Sequence, residues 1–149
     1  MLAGSVAETA PLLRIWEKVL DVPDWSGRPT WFHGDLHPAN VVVLDGRVSA
    51  IIDFDHVGTG DPACDMMIAW TMLSGAERRA FRARLRIDDA TWERGRGWVL
   101  DLGVRALAFT GPQDLLTKIG KRALDELTID AGTPIEWLDA TPARRPMTN

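Results

Sequence analysis

Early in the chain, Leu12, Ile15, Trp16, Val19 and Leu20 recur at three- and four-residue spacing, an apolar helical stripe that Thr9 is placed to cap. "DVPDWSGRP" interrupts the pattern. After "TWF" and a polar loop the pattern changes to "VVVL-DG-RVSAII", in which Asp45-Gly46 suits the positive φ angles of a two-residue primed turn and predicts a hairpin. "GTGDP" closes this region, with Asp61 a candidate N-cap and Pro62 at the first helical position. Helical patterning then continues almost to residue 130. "ACDMMIAWTML" reads as a buried helix and "AERRAFRARL" as a short arginine-rich one. A longer helix runs through Trp92, Trp98, Leu102 and Leu107, capped by Asp88 or Asp89, and "GPQDLLTKIGKRALDEL" makes the last. The tail "TPARRPMTN" has the composition of a frayed terminus. The expected class is α+β, mainly helical with a small β-hairpin.

The chain has 149 residues and is 46% hydrophobic, enough for one ordinary domain with its own core. Cys64 has no second cysteine to pair with, no secretory leader is legible, and no apolar run approaches the roughly 20 residues of a membrane span. A soluble protein of the cytoplasm is the expectation. The net charge of −4 is unevenly distributed: residues 1–65 carry ten acids against four bases, and 66–149 carry eleven against thirteen. Asp35, Asp45, Asp53, Asp55, Asp61 and Asp65 concentrate the acidity around the hairpin, where it is either solvated or offset by a cation.

With the turn at 45 and 46, antiparallel partners sum to 91, so Asn40 faces Ile51 and Asp53 lies just past the open end. That geometry places the Asn40 and Asp53 backbones within roughly 8 Å. An amide oxygen and a carboxylate are hard ligands suited to Mg²⁺, which keeps several waters and completes its shell with substrate phosphates. Asp35 stands five residues before Asn40. An aspartate to accept a hydroxyl proton, with an asparagine and a second aspartate to hold a metal, forms the lower half of a phosphoryl-transfer site.

The stretch "HGDLHPANVVVLDGRVSAIIDFDHVGTGDPACD" resembles the catalytic core of the aminoglycoside phosphotransferase family, small-molecule kinases related in fold to protein kinases. The HGDxxxxN loop, the hairpin, IDF and GDPxxD follow in order, and "RGRGW" and "ALDEL" extend the likeness over most of residues 9–128. The resemblance implies the C-terminal lobe of a kinase-like fold, occupying residues 1–130. Within it, 9–29 would be a linking helix and loop, 30–61 the catalytic loop and metal hairpin, and 62–130 the helical subdomain, with 131–149 a flexible tail. It implies transfer of the γ-phosphoryl group of ATP to a hydroxyl of a small molecule, with Mg²⁺. Asp35 would be the catalytic base, Asn40 and Asp53 the magnesium ligands, and His33 would shape the loop. His37 and Asp61 would support it, and Asp65 would hydrogen-bond beneath it. Asp55 falls where the family commonly has glycine or another small residue.

The upper lobe of a kinase supplies a glycine-rich turn, a strand lysine and a helix glutamate to the nucleotide. Only 32 residues precede His33, and none of Lys18, Lys118 and Lys121 lies on a strand before the loop, so no nucleotide-binding lysine is assigned. The loose G-x-G-x-x-A match "GTGDPA" fails because Asp61 would repel phosphate. The expectation is therefore a C-terminal lobe without its mate, inactive or weak alone, associating with itself or with a separate upper-lobe partner through exposed apolar surface. Aminoglycosides are polycations that family members meet with acids from the C-terminal helices. Here that half has more bases than acids, so other hydroxylated metabolites or antibiotics are equally expected acceptors.

Other readings are weaker. His33 and His37 have zinc spacing only on a helix, which Pro38 opposes. "GDLH" is similar to the GDxHG element of metallophosphoesterases, but the further histidine clusters of that class are absent from a chain with three histidines. A non-catalytic remnant or interaction module stands as the alternative. The arginines at 78, 79, 82, 84 and 86 read as a solvated helix face, not a nucleic-acid or membrane surface. The seven tryptophans read mostly as core, and Cys64 as an inert buried thiol.

Overall fold

The computed structural model describes residues 6–132, so the tail from 133 and Trp137 lie outside the described residues. The first helix, α1 (Val6–Leu20), begins before Thr9, which therefore sits inside it and not at its cap. Alanine and glutamate in "VAETA" are good helix formers, and they carry the helix one turn past the residue that looked like its boundary. Four short strands follow: β1 (Thr30–Phe32), β2 (Val41–Leu44), β3 (Arg47–Ile51) and β4 (Gly58–Gly60). They make two separate antiparallel pairs, β1 with β4 and β2 with β3.

The β2–β3 turn is the expected one, with Asp45 and Gly46 at φ 49° and 72°. The register beyond it differs from expectation. Leu44 pairs with Arg47 and Val43 with Val48, but Val42 pairs with Ala50 and Val41 with Ile51, leaving Ser49 as an extra residue in a β-bulge. The ladder thereafter is displaced by one, and the Ile52 N–H donates to the Asn40 carbonyl at 3.0 Å. A bulge adds one residue to one strand only, which a constant-sum register cannot anticipate. Its effect is to bring Asp53 one residue nearer to Asn40 than the regular hairpin would.

After β4 the chain enters a 3-10 helix (Pro62–Met67), N-capped by Asp61, that passes into the short α2 (Ile68–Thr71). The expected buried helix is thus divided, though its burial is as expected. α3 (Gly75–Leu85), α4 (Asp89–Phe109) and α5 (Leu115–Asp130) complete the fold. α4 is the central element, packed on α1, α5 and the 3-10 helix. Gly95 permits the last contact, since a Cβ there would stand 2.6 Å from that of Met66.

Ile15, Met67, Trp70, Trp92, Val99, Leu124 and Leu127 form the buried cluster, with the Trp70 and Trp92 rings 4.5 Å apart. Of the six described tryptophans only these two are buried; Trp16, Trp31 and Trp98 are exposed, contrary to the core reading. Helical spacing marks a stripe but not whether another element covers it. Arg78 also departs from the solvated face expected of it, being 2% exposed. Its guanidinium donates to the Ala69 carbonyl and to Glu126, and lies over the Trp70 ring. The architecture is α+β, mainly helical, and no helix among the described residues is long and apolar enough to cross a membrane.

Candidate active site

Residues 33–40 leave β1 as a loop whose shape is set by its own side chains and by Asp65 beneath. The Asp65 carboxylate accepts the His33 N–H at 2.8 Å and the Gly34 N–H at 2.9 Å, one oxygen for each. Gly34 has φ 84°, and a Cβ there would meet the His56 carbonyl oxygen at 2.3 Å, so glycine is required on both counts.

The two histidines are buried and both serve the loop. The Asp35 N–H donates to His33 Nδ1, so His33 carries its proton on Nε2 and donates it to the Ile52 carbonyl at 2.9 Å. The same ring packs 4.6 Å from that of Phe54. His33 therefore ties the loop to the segment that carries Asp53. His37 caps the short 3-10 turn Pro38–Asn40 by accepting the Ala39 N–H at Nδ1, which leaves Nε2 to face an Asp35 oxygen at 3.3 Å. With both nitrogens of each ring already engaged, the zinc-pair alternative loses its ligand atoms.

Asp35 is thus oriented from two sides. His37 meets one carboxylate oxygen, and the Asn40 Nδ2 donates to the other at 3.2 Å and to the Asp35 backbone carbonyl at 2.8 Å. The Asp35 side chain keeps 31% of its surface open, so a substrate can reach it. Because the Asn40 amide nitrogen is spent on Asp35, Oδ1 is the atom left for a ligand. Asp53, one residue past the Asn40–Ile52 pair, is exposed, has φ 63°, and makes no hydrogen bond among the described residues. A left-handed aspartate costs about a kcal/mol or more. Asn40 Oδ1 and the Asp53 carboxylate are both hard oxygen donors, a set that fits Mg²⁺.

Asp61 serves the frame. It caps the Pro62–Met67 helix through the Ala63 N–H and forms a two-point ion pair with Arg94, at 2.7 and 3.3 Å. Arg94 also donates to the Pro23 carbonyl and Thr91, joining the linker after α1 to the loop's support. Sequence reasoning did not assign Arg94; the quoted "RGRGW" contains it, but its partner lies 33 residues away. Cys64 is buried, and burial, followed by the Asp65 and Asp61 charges, pushes its thiol up to about 12.

A cavity of about 630 Å³ opens beside Asp35, walled on the far side by α4 and the start of α5. Trp98, Leu102, Arg105 and Phe109 line it. None was expected at the site, although their spacing of three and four places them on one face of α4.

Residues 2–98 match the model of the phosphotransferase enzyme family. The chain is similar to a homoserine kinase of Gluconacetobacter diazotrophicus, at 31% identity over 89% of this chain and 35% of that protein. It is also similar to the uncharacterized protein YcbJ of Bacillus subtilis, at 34% identity over 42% of this chain and 21% of that protein. It therefore spans about a third or less of the length of these relatives. No solved structure matches at the level at which they do. The family match covers both the loop around Asp35 and the hairpin leading to Asp53, and on that ground the chain belongs to the phosphotransferase enzyme family.

Proposed function

We propose that the chain is the C-terminal lobe of a kinase-like phosphotransferase that moves the γ-phosphoryl group of ATP to a hydroxyl of a small molecule. The observation that carries this is the Asn40 amide locked to Asp35 at the wall of an open cavity, with the Asn40 backbone carbonyl bonded to Ile52, next to Asp53. In the reaction, the acceptor oxygen bonds to the γ-phosphorus as the bond from that phosphorus to the β,γ-bridging oxygen breaks. ADP leaves, and the hydroxyl proton passes to the Asp35 carboxylate. Asn40 and Asp53 hold Mg²⁺, which supplies positive charge to the nucleotide phosphates. His33, Asp61 and Asp65 hold the loop in register, and His37 does so while its Nε2 faces one oxygen of the Asp35 base.

Grip on the nucleotide comes from a second, upper lobe, because the described residues offer no strand lysine before the loop. The exposed apolar side chains of the hairpin and the segment after it, Val42, Leu44, Val48, Ile51, Ile52 and Phe54, are the surface such a lobe would cover. The test has two stages. Calorimetric titration with ATP, with and without Mg²⁺, is expected to show weak binding that requires the metal and is lost in Asp53→Asn. With an upper lobe supplied, Asp35→Ala is expected to lower turnover by about 10² to 10⁴. Full turnover in that variant would remove Asp35 from the role of base.

A further inference from the structure

The cavity beside Asp35 has walls of unequal character. Phe32, Trp98, Leu102, Ala106, Phe109 and Leu116 make most of it apolar. The charged side chains at its wall are Asp35, Asp61 and Arg105, and each already faces a partner. Asp35 faces His37, Asp61 is held at two points by Arg94, and Arg105 meets Asp101 at 2.8 Å. A polycationic acceptor needs several free carboxylates to replace the water around its ammonium groups. This wall has none to spare: Asp61 is clamped by Arg94, and Asp35, the base itself, already faces His37 and Asn40.

The size agrees with this. At about 630 Å³ the open cavity has room for a drug-sized ligand. A free amino acid would fill only a fraction of it. Trp98 is 44% exposed and Phe109 83% exposed, so both offer apolar surface at the mouth of the cavity.

We propose that this cavity is the acceptor site and that it takes a hydroxyl-bearing molecule of low charge with an apolar, ring-containing body, in preference to a polyamino sugar or a free amino acid. The inference rests on the phosphotransferase reading for the word acceptor, but the ligand class rests on the cavity alone. The apolar body lies against Trp98, Phe109 and Leu116, and the hydroxyl points to Asp35. Arg105 is paired with Asp101 at the exposed rim.

Binding to the whole chain, without nucleotide, tests the class. The probes are 2-(1-naphthyl)ethanol, kanamycin and L-homoserine, titrated by calorimetry and by ligand-observed NMR. The naphthyl alcohol is expected to bind at least about tenfold more tightly than either competitor, with affinity indifferent to added salt. Phe109→Ser and Leu116→Ser, both at exposed rim positions, are each expected to weaken it by about fivefold or more. Tighter, salt-sensitive binding of kanamycin would overturn the proposal. So would tighter binding of L-homoserine, or naphthyl alcohol binding that ignores both rim variants. Phosphoryl transfer is then assayed separately with an upper lobe supplied. Rim-sensitive naphthyl binding without transfer to any hydroxyl would keep the ligand class and remove the phosphotransferase reading. Transfer to kanamycin or L-homoserine, with the naphthyl alcohol unbound, would do the reverse.

Discussion

Asp65→Ala probes the support of the catalytic loop directly. The carboxylate accepts two backbone N–H groups, from His33 and Gly34, at 2.8 and 2.9 Å. Hydrogen bonds to a charged group contribute about 1.5 to 3 kcal/mol each, and the low end applies at a half-buried site. Removing both leaves two partly buried donors unpaired, a loss of about 3 kcal/mol. The penalty falls on the loop first, because α4 and α5 do not depend on Asp65. The expected result is amide hydrogen exchange about 10²-fold faster at His33 and Gly34, with much smaller changes at Val99 and Leu124 in the core. Asp65→Asn keeps one accepting oxygen and should give an intermediate rate. Unchanged exchange at the two loop amides in Asp65→Ala would refute the idea that this carboxylate holds the loop. Uniform acceleration across the chain would refute its local character.

Arg78→Ala removes the partner of Glu126 and Asp130 and the donor to the Ala69 carbonyl, and since both acids keep some solvent the expected loss is about 2 to 3 kcal/mol by urea denaturation. Asp88→Ala deletes the cap of α4 and should cost about 1 kcal/mol. Hydrogen bonds from the Thr91 backbone and side chain hold the Asp88 carboxyl below its ordinary 3.8, so its stabilisation is present above that value and is lost as pH falls through the lower folded value. Asp88→Asn, which still caps, should flatten that acid limb in a series of thermal melts. Cys64, buried with its thiol pushed up to about 12, should resist a disulfide reagent at mildly alkaline pH and react at once in denaturant.

Short-range rules made much of this protein legible before any coordinates. Asp45-Gly46 specifies its turn because positive φ at two successive positions excludes most other pairs, and both residues adopt it. Asp61 with Pro62, and Asp88, mark helix starts because capping is a local exchange of backbone donors for a side-chain oxygen. That Asn40 lies beside the segment of Asp53 was readable too, since a hairpin converts sequence separation into proximity.

What packing decides was not legible. The bulge at Ser49 moved the register by one, and nothing in "RVSAII" announces which strand takes the extra residue. Thr9 looks like a cap but lies inside α1, because a favourable cap does not stop a helix whose preceding residues also favour it. Arg78 and Arg79 are neighbours of one chemical type, yet one is buried against Trp70 and the other exposed, a difference set by where α5 lies. The Arg94 clamp on Asp61 and the face of α4 that walls the cavity both depend on how elements tens of residues apart pack together. The turns and caps around the loop follow from the sequence because their relations are local; the shape and charge of the space before it belong to the tertiary structure, because they are made by side chains that only folding brings together.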